Sequence, residues 1–231
     1  MLEIISENWL YLLLGQFPKG ALGGLALTLA IAAVALVLAF PAGVILALGR
    51  VSRFWFFRAP AGAFVYFVRG LPLIMVIFWA YFLVPLALGT AVPDFVTMIY
   101  ALVFFEAAYL AEIIRAGIQG VPKGQTEAAR SLGMSYLQSM VRIVLPQALR
   151  NMIPSLVNQF VSLTKDTSLA FIVGINELTY AASQINNRTL THPAEIFLIV
   201  ALMYFTVCFS LSSFARRLEA RLAWGGPAGA H

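Results

Sequence analysis

The stretch VPKGQTEAARSLG, residues 121–133, lies within a basic, alanine-rich run from Arg115 to Arg150, and the chain on either side is almost continuously apolar. Pro122 suits the first turn of a helix, where a missing N–H costs nothing, and Gly133 suits the left-handed position beyond a last turn. Together they predict a short helix from Pro122 to Leu132, about 16 Å long. Ala128 and Ala129 narrow its surface enough to enter a groove, and Glu127 and Arg130 place charges beside that narrow face. Ser135 with Gln138 three residues on is a capping-box pattern that starts a second helix. Met140, Ile143 and Val144 give that helix an apolar side, and Leu145-Pro146 is expected to bend the chain back toward the apolar runs. The stretch therefore reads as a folded element that faces water or a partner.

Its surroundings are 61% hydrophobic and 11% charged overall, with a mean hydropathy of +0.88, which excludes an ordinary soluble domain. A helix needs about 20 apolar residues to cross the hydrocarbon core. Five segments meet that length: Gly20 to Gly49, Pro60 to Leu88, Phe95 to Gly117, Asn151 to Ile175, and Ala194 to Phe214. Alternating strand patterns are absent, so the expected fold is an all-α integral membrane protein rather than a barrel. The first eighteen residues carry Glu3 and Glu7 and no basic residue, which does not match a secretory signal. With Trp9, Tyr11 and a short Leu run they suggest a helix in the membrane interface, leaving five or six helices in all. The expected organisation is an N-terminal interfacial segment over residues 1–19, a transmembrane domain over 20–222 with its polar loop at about 118–150, and a tail over 223–231.

Lysine and arginine near helix ends favour the cytoplasmic side. If the 115–150 run is inside, so are Arg50, Arg53, Arg58, Arg216, Arg217 and Arg221, and only Lys19 and Arg188 fall outside. The N-terminus is then outside and the C-terminus cytoplasmic. The net charge of +5 is thus mostly a topology signal and does not point to nucleic acid. Cys208 is the sole cysteine and cannot form an internal disulfide; His192 and His231 lack ligand-like spacing, so no metal site is indicated.

The string Glu127-Ala-Ala-x3-Gly133-x9-Ile143-x-Leu145-Pro146 resembles the cytoplasmic loop signature of permease subunits of binding-protein-dependent ABC importers. The likeness extends to Arg69-Gly-Leu-Pro72, to Glu106-Ala-Ala-Tyr-Leu-Ala-Glu112-Ile-Ile-Arg115-Ala-Gly117, and to Lys165-Asp-Thr-Ser-Leu169. Those strings are similar to polar amino acid permeases of the histidine, glutamine and glutamate type, and the strings from Arg69 to Tyr109 look most like glutamate/aspartate permeases. The resemblance implies a type I importer permease fold in a bacterial inner membrane. It also implies a coupling helix carrying Glu127, Ala128, Ala129 and Gly133 that docks in a cleft of an ATPase subunit. An amphipathic loop resting on the bilayer is the alternative. The implied partners are ABC ATPase subunits, a second identical or similar permease, an extracytoplasmic amino-acid-binding protein and membrane lipid. The chain has no G-x-x-x-x-G-K-[ST] phosphate loop, so it is not expected to be an enzyme. ATP and magnesium would be used by the partner, and no cofactor is expected in this chain.

A charge near the bilayer centre costs at least about 2.5 to 3.5 kcal/mol, so each one calls for a partner or a wet cavity. Arg69 and Glu106 could share a depth, either as a structural ion pair or with Arg69 in a substrate site. Gly70 and Pro72 should loosen or break the helix there. Glu112 and Arg115, three apart, suit a local salt bridge or gate contact. Ser155, Asn158, Ser162 and Lys165 or Asp166 recur at spacings of three and four along one helical face, which either packs on another polar helix or lines a translocation path. Gln159, Thr167 and Ser168 are secondary candidates. An amino acid wants a cation and an acceptor at fixed separation; Arg69 and Asp166 fit those roles, and Lys165 as an extra cation favours an acidic side chain. The expected function is import of a polar amino acid, glutamate or aspartate first, with glutamine, histidine or arginine as alternatives. A stand-alone ion-coupled carrier fits less well, because no inverted repeat is detectable and the polar helix would have no task. A membrane assembly factor leaves the polar face unexplained.

Overall fold

The computed structural model describes residues 2–223, and their regular structure is helical. The helices are α1 (Leu2–Leu14), α2 (Gly24–Val51), α3 (Trp55–Arg69), α4 (Leu73–Leu88), α5 (Asp94–Gln119), α6 (Lys123–Ser131), α7 (Tyr136–Ser139), α8 (Leu145–Asp166), α9 (Leu178–Thr189) and α10 (Pro193–Ala223). A π turn over Met140–Val144 joins α7 to α8, and a 3₁₀ turn over Thr167–Val173 follows α8. The tail expected over 223–231 lies, from residue 224 onward, outside the described residues.

Three helices, α2, α5 and Pro193–Glu219 of α10, are long and apolar enough to cross a bilayer, and α3 with α4 qualify together as a broken pair. The break falls at Gly70–Pro72, where the sequence places it: Arg69 is the last helical residue and Pro72 occupies the N-cap of α4. The fourth expected segment, Asn151 to Ile175, behaves differently. Helix α8 begins six residues earlier, at Leu145, and stops at Asp166. Its 22 residues would span about 33 Å. Arg150, Asn158, Gln159, Lys165 and Asp166 make it too polar to qualify on composition. Nor does Leu145-Pro146 mark a corner: the backbone stays helical from the π turn over Met140–Val144 into α8, with the Leu145 N–H donating to Met140 O.

The chain divides into two compact units. The first comprises Met1–Ala39, Leu71–Glu106 and Phe160–Ser210. Its core is built on α9, whose Leu178, Ala181, Ala182 and Ile185 follow the i, i+3, i+4, i+7 rule for one apolar stripe. That stripe is buried with Leu12 of α1 and with Ile196, Ile199 and Val200 of α10. The large apolar residues left outside, such as Phe82, Leu86 and Phe205, are what a hydrocarbon-facing surface requires.

The second unit comprises Phe40–Gly70, Ala107–Gln159 and Leu211–His231, and it holds the whole 115–150 run. Here α5 and α8 touch at Gly117. A Cβ on that residue would lie 2.3 Å from Met152 Cγ, so any larger residue would have to push the Met152 side chain aside. Gly43 of α2 meets Leu110 of α5 in the same manner, at 2.7 Å.

Candidate functional site

Helix α6 ends as its sequence dictates. Gly133 takes φ +80°, the Gly133 N–H donates to Arg130 O at 2.9 Å, and the Met134 N–H donates to Ala129 O at 3.1 Å. This is the Schellman pairing that satisfies the last carbonyls of a helix. Ser135 and Gln138 then form the complete capping box of α7: the Gln138 N–H donates to Ser135 Oγ at 3.3 Å and the Ser135 N–H to Gln138 Oε1 at 2.9 Å. Around α6, Glu127, Ala128 and Arg130 are exposed, whereas Ala129 is buried. The two alanines therefore act on opposite sides: Ala128 belongs to the exposed face and Ala129 seats the helix on its own unit. Gln147 Nε2 of α8 donates to Gln125 Oε1 at 3.3 Å, holding α6 against the start of α8. Leu132, Tyr136 and Leu137 stand 84%, 66% and 69% exposed beside α6, an apolar rim that solvent alone would not favour.

A second cluster surrounds Glu112. Arg115, one turn on, donates through Nε to Glu112 Oε2 at 3.2 Å and through its second nitrogen to Oε1. This i, i+3 bridge is the contact the spacing suggests. Arg50, from the end of α2, also donates to Glu112 Oε2, and only 8% of its side chain is exposed. Arg69 lies 3.9 Å from the same carboxylate and over the Tyr109 ring at 5.3 Å. One carboxylate thus serves three arginines. Arg69 thus reaches Glu112, and Glu106 is fully buried. The Arg50 contact joins residues 62 apart and no local spacing reveals it.

On α8, Asn158 and Lys165 are exposed, as is Ser155, while Ser162 and Asp166 are half-buried. The polar face is real and largely uncovered in the single chain. Lys165 and Asp166 form no ion pair with each other, as expected for neighbours about 100° apart on a helix. Among the described residues no group of three or more His, Cys, Asp or Glu side chains gathers that could hold a metal.

The first unit contains a polar cluster that sequence reasoning passes over. Glu177, fully buried, caps α9 by accepting from the Thr179 N–H at 2.9 Å and the Tyr180 N–H at 2.8 Å. Tyr204 Oη donates to it at 2.9 Å and Thr28 Oγ1 at 3.4 Å, and Thr28 Oγ1 in turn accepts from the Leu178 N–H at 3.1 Å. Burial pushes the Glu177 carboxyl above the usual carboxylate range, and the backbone donors pull it back down. A glutamate directly ahead of a helical stripe is the one signal that could have located it.

These features describe a membrane chain with a broken helix pair and a Schellman-capped polar helix set between α5 and α8, and the comparisons place it among transport components. The chain belongs to the family of binding-protein-dependent transport system inner membrane components, whose model matches residues 39–224. It is 43% identical over 200 residues to the probable glutamine ABC transporter permease protein GlnP of Bacillus subtilis, covering 86% of this chain and 91% of that relative. It is 41% identical over 207 residues to the inner membrane amino-acid ABC transporter permease protein YhdY of Escherichia coli K12, covering 88% of this chain but spanning only 56% of that longer relative. The fold matches the crystal structure of an amino acid ABC transporter with histidines at a TM-score of 0.80 and 33% identity, over 86% of this chain and 92% of the other. The chain is therefore a multi-pass inner-membrane transport subunit with the type I importer permease fold, and not itself an enzyme.

Proposed function

We propose that this chain is the permease of an ATP-driven importer for a polar amino acid, with glutamate or aspartate as cargo. The observation that carries the reading is the exposed side of α6, where Glu127, Ala128 and the turn at Gly133 are presented beside the apolar rim of Leu132, Tyr136 and Leu137. A separate ATPase, using ATP and magnesium, would take α6 into a surface cleft and move it on nucleotide binding. A second permease, identical or similar, would complete the path, and an extracytoplasmic binding protein would deliver the amino acid. The N-terminus lies outside and the C-terminus in the cytoplasm in this scheme.

For the cargo, the polar face of α8 with Asn158, Ser162, Lys165 and Asp166 lines the route, and Glu106, a fully buried acid, is a further candidate. Arg69 supplies a further cation near the break after α3. Two cations, Arg69 and Lys165, against one half-buried acid, Asp166, suit an acidic side chain, and the relatives named above are a probable glutamine permease and an amino-acid permease. The test is to reconstitute the chain with its ATPase and binding protein and to measure ATP hydrolysis and uptake over a panel of amino acids. Glutamate or aspartate should stimulate both most strongly. Glu127→Lys should let hydrolysis proceed with little uptake while the membrane fold persists. Uptake by the chain alone, driven by an ion gradient, would overturn the importer reading; strongest stimulation by a neutral or basic amino acid would overturn only the cargo.

A further inference from the structure

Beside the Glu112 cluster, the second unit opens a cleft of about 450 Å³ whose cationic wall is Arg50, Arg58 and Arg115. We infer that this cleft binds the phosphate group of an anionic phospholipid headgroup. The inference rests on the proposed orientation, which places the end of α2 on the cytoplasmic side, and it stands whatever the cargo.

Charge gives the first argument. Three guanidiniums line the cleft, and the carboxylate next to it, Glu112, is already shared by Arg50, Arg115 and, at 3.9 Å, Arg69. Arg58 has no side-chain hydrogen bond or ion pair among the described residues and is exposed. The wall therefore carries a surplus of two positive charges, three arginines less one glutamate. Guanidinium groups bind phosphate oxygens in pairs, with geometry that a lysine lacks.

Shape gives the second. Ala59, Gly62 and Ala63 lie on one side of α3 and form the floor. A Cβ on Gly62 would meet nothing within 4 Å, so the floor is open where a headgroup would enter. Arg50 is pre-positioned, with its guanidinium 5.1 Å from the centre of the Tyr66 ring and hydrogen-bonded to Glu112. Little of its freedom remains to be lost on binding.

Depth decides between a lipid and a soluble phosphate. Phe54, Trp55, Phe56 and Phe57 form an exposed aromatic row immediately before Arg58, with Trp55 72% exposed. Tryptophan, as at Trp55, is enriched at the level of the headgroups. The cleft thus opens where lipid phosphates are concentrated, and basic clefts between spans on the cytoplasmic side hold acidic headgroups.

The full chain, purified with its partner subunits, is exchanged into mixed phosphatidylglycerol/phosphatidylcholine nanodiscs, and the lipid retained after detergent extraction is quantified by native mass spectrometry. Phosphatidylglycerol should be retained over phosphatidylcholine, and Arg58→Ala should reduce that retention about fivefold without changing the melting temperature. Arg53→Ala, which removes an exposed arginine that stacks on Phe54 outside the cleft, should retain lipid like the parent chain. Equal retention of both lipids, or equal loss from the two variants, would overturn a built site in favour of diffuse attraction. Displacement of phosphatidylglycerol by millimolar inorganic phosphate would assign the cleft to a soluble anion and overturn the lipid source.

Discussion

Arg50 and Glu112 meet across 62 residues of sequence, joining the end of α2 to the last third of α5 through a carboxylate that Arg115 also holds. Hydrogen bonds to charged groups contribute about 1.5 to 3 kcal/mol when well shielded, and less where water reaches them, as it does at this partly exposed acid. Glu112→Gln should therefore destabilise the detergent-solubilised chain by about 1 to 2 kcal/mol, seen as a lower melting temperature. An unchanged melting curve would show that the cluster is only a screened surface pair.

At Gly117 the expectation is steric. Gly117→Val would drive methyl groups into Met152, which is buried, and should cost about 1 to 3 kcal/mol. Met152→Ala in the same chain should recover part of that loss, because the second substitution removes the atoms that clash. A double-mutant cycle on melting temperature reads the coupling; strict additivity would mean that the two helices do not meet there.

The two caps of the polar helices make separable predictions. Gly133 has open space around its Cα, so Gly133→Ala should cost only the left-handed backbone penalty, about 1 to 2 kcal/mol, and Gly133→Asn less. Ser135→Ala removes one half of the capping box and should cost about 1 kcal/mol. Amide hydrogen exchange should speed up over residues 134–139 in both alanine variants while the exchange of α5 stays unchanged.

Glu177 gives the pH dependence. Its folded carboxyl lies above the ordinary glutamate value of about 4.3, so the fold favours the protonated form. The associated stability is complete below that ordinary value and is lost as the pH rises through the higher folded one. Glu177→Gln keeps an acceptor for one of the Thr179 and Tyr180 N–H groups, at some cost to the cap, and should flatten that part of the stability curve. A chain whose Tm varies with pH identically with and without the substitution would remove Glu177 as the source.

How much of this was readable beforehand depends on the range of each interaction. The caps at Gly133 and Ser135, the break after Arg69 and the Glu112–Arg115 bridge all act within five residues, and spacing alone locates them. Arg50 joining Glu112, Ala129 turning inward and Thr28 closing over Glu177 depend on helices meeting in space, which periodicity does not encode. The end of α8 at Asp166 was hidden for another reason: the apolar run continues to Ile175, but the backbone tightens into a 3₁₀ turn that ends at Gly174, with φ +77°. Hydropathy measures polarity and is blind to that change of pitch.

The glycine contact between α5 and α8 has a mechanical consequence. Helix α6 hangs between those two helices on a connector of three residues, Gly120 to Pro122, and is tied to the far side through Gln125 and Gln147. Its two anchors meet at Gly117 and Met152. A push on this short helix is handed to both anchors at once. If α6 is the coupling element proposed above, stiffness at this joint matters beside affinity for the partner, and the missing Cβ of Gly117 is what lets α5 and Met152 of α8 meet so closely.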